Sequence, residues 1–279
     1  MSTSNQTYKE LAIPYFKEVF DIIDEVMIEH DIPYYHIGAS AMALALLEKG
    51  IRPGRGTKDI DFAIMISRIH QFDALINSLE EQGFVQIKEI PHRVYHSIYK
   101  VAIDILPFGK IEEHFTVNFT DRKTELHVLG FTEVLEDSRT VRIDERIALI
   151  PPLPGIVVLK LIAWSDRPEQ RENDLADILK IMEHYFDMEY DEILEFHHDT
   201  FPDDDLDPLL IGAEVLGRKV NAILAKSEDL SKKIHGVLAD NLKKESESLI
   251  AREWARRKNR EVEYTFSLLK AFQKGILNN

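Results

Sequence analysis

The sequence predicts an α/β protein in which a mixed sheet with flanking helices is followed by an all-helical C-terminal domain. Two observations carry this prediction. In the first half, short segments rich in β-branched and aromatic residues alternate with segments of helical periodicity, whereas the second half shows helical periodicity alone. Between them the chain is punctuated by Pro151, Pro152 and Pro154. We therefore place a domain boundary there, with domains at 1–150 and 151–279.

The elements of the first half follow from these patterns in order. An amphipathic helix is predicted for YKELAIPYFKEVFDIIDEVMIEHDI, because its apolar residues recur at helical spacing. A strand at 33–37 precedes a helix of strong helix formers, AMALALLEKG, which ends at Gly50. Another helix is predicted at 69–82. Strands are predicted for DIDFAIMI, FVQIKEI, VYHSIYK, VAIDILPF, ELHVLGF and RTVRID.

The second half is predicted to contain helices only. The helical segments are GIVVLKLIAWSDR, ENDLADILKIMEHYF and three further stretches after the break FPDDDLDP. Lys160 lies in the first of these segments, and Asp174 and Asp177 lie three residues apart in the second, which places them on one helix face.

The composition restricts the function classes. With a formal net charge of −15 the chain as a whole repels nucleic acid, so an RNA contact would need a local basic patch. The candidate is AREWARRKNR, although such a run is more often a solvated helix face or one that balances nearby glutamates. The absence of cysteine excludes disulfides, thiol catalysis and thiolate metal sites, and agrees with a cytoplasmic location. Without a basic and apolar leader or an apolar run of about 18–20 residues, neither a signal peptide nor a membrane span is predicted.

Three aspartates lie on predicted strands. Side chains two apart on a strand share a face, so Asp59 and Asp61 point the same way, while Ile60 and Phe62 pack on the other side. Asp104 interrupts the apolar strand VAIDILPF, where a carboxylate is costly unless it is paired or bound to metal. If the two strands are neighbours, the three carboxylates form an oxygen-rich site suited to magnesium. The simpler interpretation is a set of solvated acids at strand ends.

A second candidate element is the turn at Gly38, Ala39 and Ser40, where a predicted strand ends and a helix begins. Small residues let a phosphate approach the backbone, and a helix N-terminus offers unpaired N–H groups. The simpler interpretation is an ordinary helix cap, with the Ser40 hydroxyl bonded to a backbone donor.

The run IGASAMALALLEKGIRPGRGTKDIDFAI, followed by VAIDILPFG, resembles the nucleotidyltransferase superfamily that includes DNA polymerase β. It is most similar to the AbiEii-type branch, which includes toxins of toxin–antitoxin systems. That branch has a Gly-Gly/Ser turn, a helix, Arg-x-Ser/Thr-x-Asp-hydrophobic-Asp, a third acid, and later lysine and Asp-x-x-Asp elements. The matching residues are Gly38, Ala39, Ser40, Arg55, Thr57, Asp59, Asp61, Asp104, Lys160, Asp174 and Asp177.

The resemblance implies a nucleotidyltransferase fold and the transfer of a nucleoside monophosphate from a triphosphate to an acceptor hydroxyl. It implies that Asp59 and Asp61 hold one or two Mg²⁺ ions, with Mn²⁺ as a substitute, and that Asp104 binds the catalytic metal and helps to deprotonate the acceptor. The turn residues, Arg55, Thr57, Lys160, Asp174 and Asp177 would bind the nucleotide. In a toxin the acceptor would be tRNA or another RNA, and a cognate antitoxin would be the partner; a small molecule or a protein are the alternative acceptors.

A function of a different class is a catalytically silent nucleotide sensor or partner-binding module that retains the fold. Two departures from the family pattern favour it: Ala39 replaces the usual second glycine, and the spacer before the acids is longer than usual. For the later elements, Lys160 could extend its stem toward water, and Asp174 and Asp177 could pair with nearby arginines. Arg55 could be an ordinary exposed loop residue.

Overall fold

A computed structural model describes residues 7–11, 13–53, 59–119, 124–202 and 205–278, with the backbone alone at Thr7 and Tyr8. The chain divides into two compact units, Met1–Pro152 and Leu153–Asn279. The described part of the first unit is a mixed sheet with flanking helices, and that of the second contains helices without strands. The predicted fold class, an α/β sheet followed by an all-helical region, is confirmed.

The central sheet of the N-terminal unit has five strands in the order β1-β2-β5-β4-β3. Strands β2 and β5 are parallel, and every other neighbouring pair is antiparallel. Two smaller antiparallel pairs, β6 with β7 and β8 with β9, follow in the chain. The strands are β1 Tyr34–Ile37, β2 Asp59–Met65, β3 Phe84–Gln86, β4 Arg93–His96, β5 Val101–Phe108, β6 Thr116–Phe119, β7 Thr124–His127, β8 Arg139–Ile143 and β9 Arg146–Ile150.

The two faces of the central sheet differ in burial, as the alternation along each strand requires. One face is apolar and fully buried, and its residues include Ile60, Phe62, Val94, Ile103 and Ile105. Helix α1, Phe16–Glu29, packs on this face and brings the Phe20 ring to 6.3 Å from that of Phe62. The opposite side, which we call the open face, is partly exposed and carries Asp59, Asp61, Arg93, Tyr95, Ala102, Asp104 and Leu106.

Two N-terminal predictions were wrong in detail. The first predicted helix is divided: a 3-10 segment occupies Thr7–Leu11, and the α-helix begins only at Phe16, after Tyr15 with its positive φ of 59°. The segment ELHVLGF does not continue as a strand, because the chain turns at Gly130 (φ 88°) and forms a helix at Phe131–Leu135. The helices of this unit are α1 Phe16–Glu29, α2 Gly38–Glu48, α3 Ile69–Glu81 and α4 Phe131–Leu135.

The C-terminal unit has a core of closely packed helices. Helices α8 and α11 approach each other at Gly217 and Gly275, where an added methyl group would lie 2.2 Å from the Phe272 carbonyl oxygen and 1.9 Å from that of Glu214. The buried Trp254 donates its indole N–H to the Leu175 carbonyl, which ties α10 to α6. The helices are α5 Leu153–Asp166, α6 Glu172–Met188, α7 Tyr190–Phe196, α8 Pro208–Leu224, α9 Glu228–Leu242, α10 Leu249–Lys258 and α11 Val262–Leu277.

The region after the break contains four helices, α8 to α11, where the sequence predicted three. The extra division falls at Asn259, which adopts a left-handed conformation (φ 48°) and ends α10. Asparagine tolerates this conformation, so the break is compatible with the sequence but has no glycine or proline to mark it. None of the helices in the described part of the chain has the length and hydropathy needed to cross a membrane.

Candidate functional site

The three predicted aspartates meet on the open face of the sheet. In the parallel pairing of β2 with β5, Asp61 lies directly opposite Asp104, and Asp59 lies opposite Ala102. Neighbouring strands are separated by about 4.8 Å, so opposed side chains are adjacent. The expectation that these two strands are neighbours is confirmed. The role of the three aspartates in holding metal stays a prediction.

Arg93 joins this group from β4, the strand on the other side of β5, where it lies opposite Asp104. Its Nε and Nη2 donate to the two carboxylate oxygens of Asp104 at 2.6 and 2.7 Å, and Nη2 lies 3.8 Å from an oxygen of Asp59. The hydrogen bonds to Asp104, opposed by partial burial and supported by the three negative charges, raise the pKa of Arg93 above its ordinary value. The guanidinium is therefore a permanent cation beside the acids.

Sequence reasoning missed Arg93. The predicted strand began one residue later, at Val94, which left Arg93 in the preceding turn. In the structure β4 begins at Arg93, and its pairing with β5 brings Arg93 beside Asp104. The available signal was the alternation itself: Val94 is buried, so an extension of the strand by one residue would have placed Arg93 on the same face as Tyr95.

Gly38 forms the turn from β1 into α2, with a positive φ of 71°. The Asp61 carboxylate packs against it so closely that a Cβ at position 38 would lie 2.0 Å from Asp61 Oδ2. The N-terminal end of α2 therefore contacts one of the acids directly, and the positive end of the helix dipole stabilises a negative charge at this place. Glycine is required here both by the backbone conformation and by the contact.

The other two turn residues differ in exposure. Ala39 is partly exposed, whereas Ser40 is buried and its hydroxyl lies 2.6 Å from Nε2 of His36. His36 is itself fully buried between Phe16 and Phe62, and burial lowers its pKa from 6.5 to about 3, so the ring is neutral. The Ser40 hydroxyl thus supports the turn from inside the unit. In this arrangement it is buried and is not exposed to a phosphate.

The donor set on the open face fits a divalent cation in its chemistry. Three carboxylates supply the hard oxygen ligands that Mg²⁺ and Mn²⁺ prefer. Within the described ranges, no group of three or more His, Asp or Glu side chains has a geometry that could hold a metal ion as it stands. At Asp104 the cation that the structure does contain is Arg93. Arg55 and Thr57, which the sequence also predicted for this site, lie outside the described residues.

The structure brings together a second predicted group, Lys160, Asp174 and Asp177, inside the C-terminal unit. The Lys160 ammonium donates to Asp174 Oδ1 at 2.9 Å and to Asp177 Oδ2 at 2.7 Å, and all three side chains are buried. Burial alone would lower the pKa of Lys160, but the charges and hydrogen bonds of the two aspartates outweigh it and raise the pKa. Two of the three ammonium donors of Lys160 are thus engaged by carboxylates in the described structure, and its role in nucleotide binding stays a prediction.

The basic segment of α10 is largely neutralised by glutamates. Arg256 and Arg257 both bond to Glu253, and Lys258 lies 2.8 Å from Glu183. Arg252 and Arg256 also line an open groove of about 860 Å³ together with Glu169, Glu172 and Glu253. The groove therefore has mixed charge, and the segment does not form a continuous cationic surface.

Comparison with known proteins gives no family assignment. No protein-family model matches the sequence, and no curated protein matches it. Two solved structures are similar to part of the chain. An antigenic nucleotidyltransferase-like protein from Paracoccidioides brasiliensis aligns over 78% of this chain and 91% of its own at 15% identity, with a TM-score of 0.41. The antibiotic-resistance factor ANT(2'')-Ia aligns over 65% of this chain and 96% of its own at 14% identity, with a TM-score of 0.36. Both TM-scores are below 0.5, so neither similarity supports an argument about function.

Proposed function

We propose that this protein is a metal-dependent nucleotidyltransferase that moves a nucleoside monophosphate from a triphosphate to an acceptor hydroxyl. The observation that carries the proposal is the opposition of Asp61 and Asp104 on parallel neighbouring strands, with Asp59 on the same face. Adjacent carboxylates repel one another, and a cation between them stabilises the arrangement. A site for Mg²⁺ and the phosphates that accompany it explains why they are adjacent.

The residues have distinct roles in the proposed reaction. When bound, Mg²⁺ would supply electrostatic stabilisation of the phosphate oxygens. Asp59 and Asp61 would hold it, and the positive end of α2, which begins at Gly38, would attract the β- and γ-phosphates. The acceptor oxygen bonds to the α-phosphorus, the bond from the α-phosphorus to the bridging oxygen breaks, and pyrophosphate leaves. Asp104 would accept the proton of the acceptor hydroxyl.

We propose a small molecule as the first acceptor to test, and tRNA or another RNA as the second. The reason is electrostatic: the chain carries a net charge of −15, and the glutamates of the C-terminal unit already pair with its basic segment. A cationic acceptor would be attracted to the open-face acids. An RNA acceptor would instead support the AbiEii-type toxin hypothesis, with a cognate antitoxin as the partner.

The second candidate function is a silent nucleotide sensor that keeps the fold. It is favoured by the pair between Arg93 and Asp104, which engages both oxygens of the proposed proton acceptor. Such a module would bind a triphosphate and metal but release no pyrophosphate.

The test is incubation with each of four radiolabelled nucleoside triphosphates and Mg²⁺, in the presence of either an aminoglycoside panel or total tRNA. Wild type is compared with Asp61→Asn, and Asp31→Asn serves as a matched control because Asp31 is exposed and lies outside the site. We expect label in one acceptor class, a loss of about 10³-fold in Asp61→Asn, and no change in Asp31→Asn.

Each outcome decides between the candidates. Label in the small molecule or in tRNA identifies the acceptor class. Triphosphate binding that needs Mg²⁺ and Asp61, without label transfer to either acceptor, favours the sensor. The absence of Mg²⁺-dependent triphosphate binding in wild type contradicts both.

A further inference from the structure

Arg93 engages an aspartate that is more enclosed than Asp59. The exposed fraction of the Asp104 side chain is 14%, against 47% for Asp59. The contact is bidentate and short, with both guanidinium nitrogens in hydrogen-bond range of separate carboxylate oxygens. Such paired charge-assisted bonds are among the strongest hydrogen bonds in proteins. Arg93 therefore compensates the partial desolvation of Asp104.

The same contact restricts access to Asp104. A metal ion at this carboxylate needs at least one of the two oxygens that accept from Arg93. It would also place a second positive charge close to the guanidinium, which repels it. The exposed fraction of the Arg93 side chain is 29%, so the guanidinium can move toward solvent when it leaves Asp104. Metal binding at Asp104 and the bond between Arg93 and Asp104 therefore oppose each other.

The charges of the group favour a defined order of binding. The pair of Arg93 with Asp104 has no net charge, so a divalent ion gains less from Asp104 than it would from a carboxylate without an adjacent cation. An ion that approaches Asp104 also meets the positive charge of Arg93. The phosphates of a nucleotide supply the negative charge that makes an ion at Asp104 favourable.

We infer that Arg93 is a positioning residue that occupies Asp104 as an internal counter-cation, so that a metal ion reaches Asp104 only when a triphosphate is bound. The inference rests on the proposed function, since it concerns the same metal site. In the nucleotide-free protein Arg93 is bonded to Asp104 and opposes metal binding there. When a triphosphate is bound, Arg93 leaves Asp104 and the metal ion binds. A role of this kind makes a loss of Arg93 increase metal affinity, whereas a purely structural role would decrease it.

The experiment is a titration of the full chain with Mn²⁺, followed by electron paramagnetic resonance, with and without a non-hydrolysable triphosphate. Arg93→Met is compared with wild type, with Arg93→Lys, and with Arg139→Met. The Arg139 control removes another arginine–carboxylate pair of the same unit, formed with Glu48. Thermal unfolding of each variant shows that it is folded. Asp61→Asn reports whether the bound ion is at the open-face site.

We expect wild type to bind one Mn²⁺ without nucleotide and a second with it. Arg93→Met should bind the nucleotide-free Mn²⁺ on the order of tenfold more tightly or take up a second ion, because a repelling positive charge is removed. Arg93→Lys, with one donor group in place of a planar pair, should be intermediate, and Arg139→Met should match wild type. Equal or weaker Mn²⁺ binding by folded Arg93→Met overturns the inference alone. If wild type binds no Mn²⁺ that depends on Asp61, the proposed function fails with it.

If Arg93→Met is unfolded, Arg93→Lys decides the question by the direction of its change. Tighter Mn²⁺ binding supports competition at Asp104. Unchanged or weaker binding contradicts it, because a lysine that merely replaces a structural contact has no reason to admit more metal.

Discussion

The two units arrange charge in opposite ways. On the open face of the N-terminal unit, Asp59, Asp61 and Asp104 are partly exposed, and Arg93 balances one of the three negative charges. In the C-terminal unit the exposed fractions of Lys160, Asp174 and Asp177 are 7, 11 and 6%, and the lysine bonds to both acids. Solvent reaches the first group, whereas the side chains of the second are buried.

This difference predicts different roles for the two groups. A buried charge that loses its partner is strongly unfavourable, so the lysine cluster is expected to contribute to folding. Partly exposed carboxylates are expected to contribute less, because water and ions screen their charges. The sequence resemblance assigned both groups to one nucleotide site, and the structure distinguishes them by burial.

The largest expected effect is on stability, through Lys160→Met. Two carboxylates would remain buried without their cation, so we expect the free energy of unfolding to fall by about 3–5 kcal/mol. Urea denaturation followed by far-UV circular dichroism measures it. The triple variant Lys160→Met, Asp174→Asn, Asp177→Asn removes all three charges and should recover most of the loss. A stable Lys160→Met that has lost triphosphate binding would instead assign Lys160 to the nucleotide site.

A smaller effect is expected from two glycines at opposite ends of α2, Gly38 at its first residue and Gly50 just after its last turn. Gly38→Ala and Gly50→Ala both place alanine at a positive φ, which costs roughly 1–2 kcal/mol. Only the methyl group at position 38 would collide with the Asp61 carboxylate, since that at position 50 has no atom within 4 Å among the described residues. We therefore expect Gly38→Ala to be less stable than Gly50→Ala and, unlike it, to weaken Mn²⁺ binding. Equal Mn²⁺ affinity in the two variants would contradict the prediction that Gly38 supports metal binding through its contact with Asp61.

The third effect is a dependence of stability on pH, and it concerns His36, which the N-terminal unit buries as a neutral group. Its pKa is lowered to about 3 in the folded protein, against 6.5 for an ordinary histidine. Between these values the unfolded chain binds a proton that the folded one does not, so stability is lost as the pH falls from 6.5 toward 3. The slope is at most about 1.4 kcal/mol per pH unit. Urea midpoints over this range should depend less on pH in His36→Gln, while the exposed-residue control His70→Gln should behave as wild type.

Local sequence patterns predicted much of the fold. The apolar alternation around Asp59 and Asp104 predicted both strands, and the small residues after Ile37 predicted the start of α2. The misses have local causes as well. Tyr15 and Asn259 adopt left-handed conformations without being glycine, so the breaks at these positions carry no strong sequence signal. Phe131 was assigned to a strand because a short apolar run is compatible with either element.

For the site, the sequence by itself determined which carboxylates share a face and which turn precedes them, because strand alternation is a property of the local backbone. Tertiary structure alone decided the rest. The register between β4 and β5 set Arg93 against Asp104, and the contact of Gly38 with Asp61 depends on the pairing of β1 with β2. The packing of α5 on α6 places Lys160 beside Asp174 and Asp177 in a buried ion cluster. These contacts join residues distant in the chain, and no local preference specifies which distant charge will meet which.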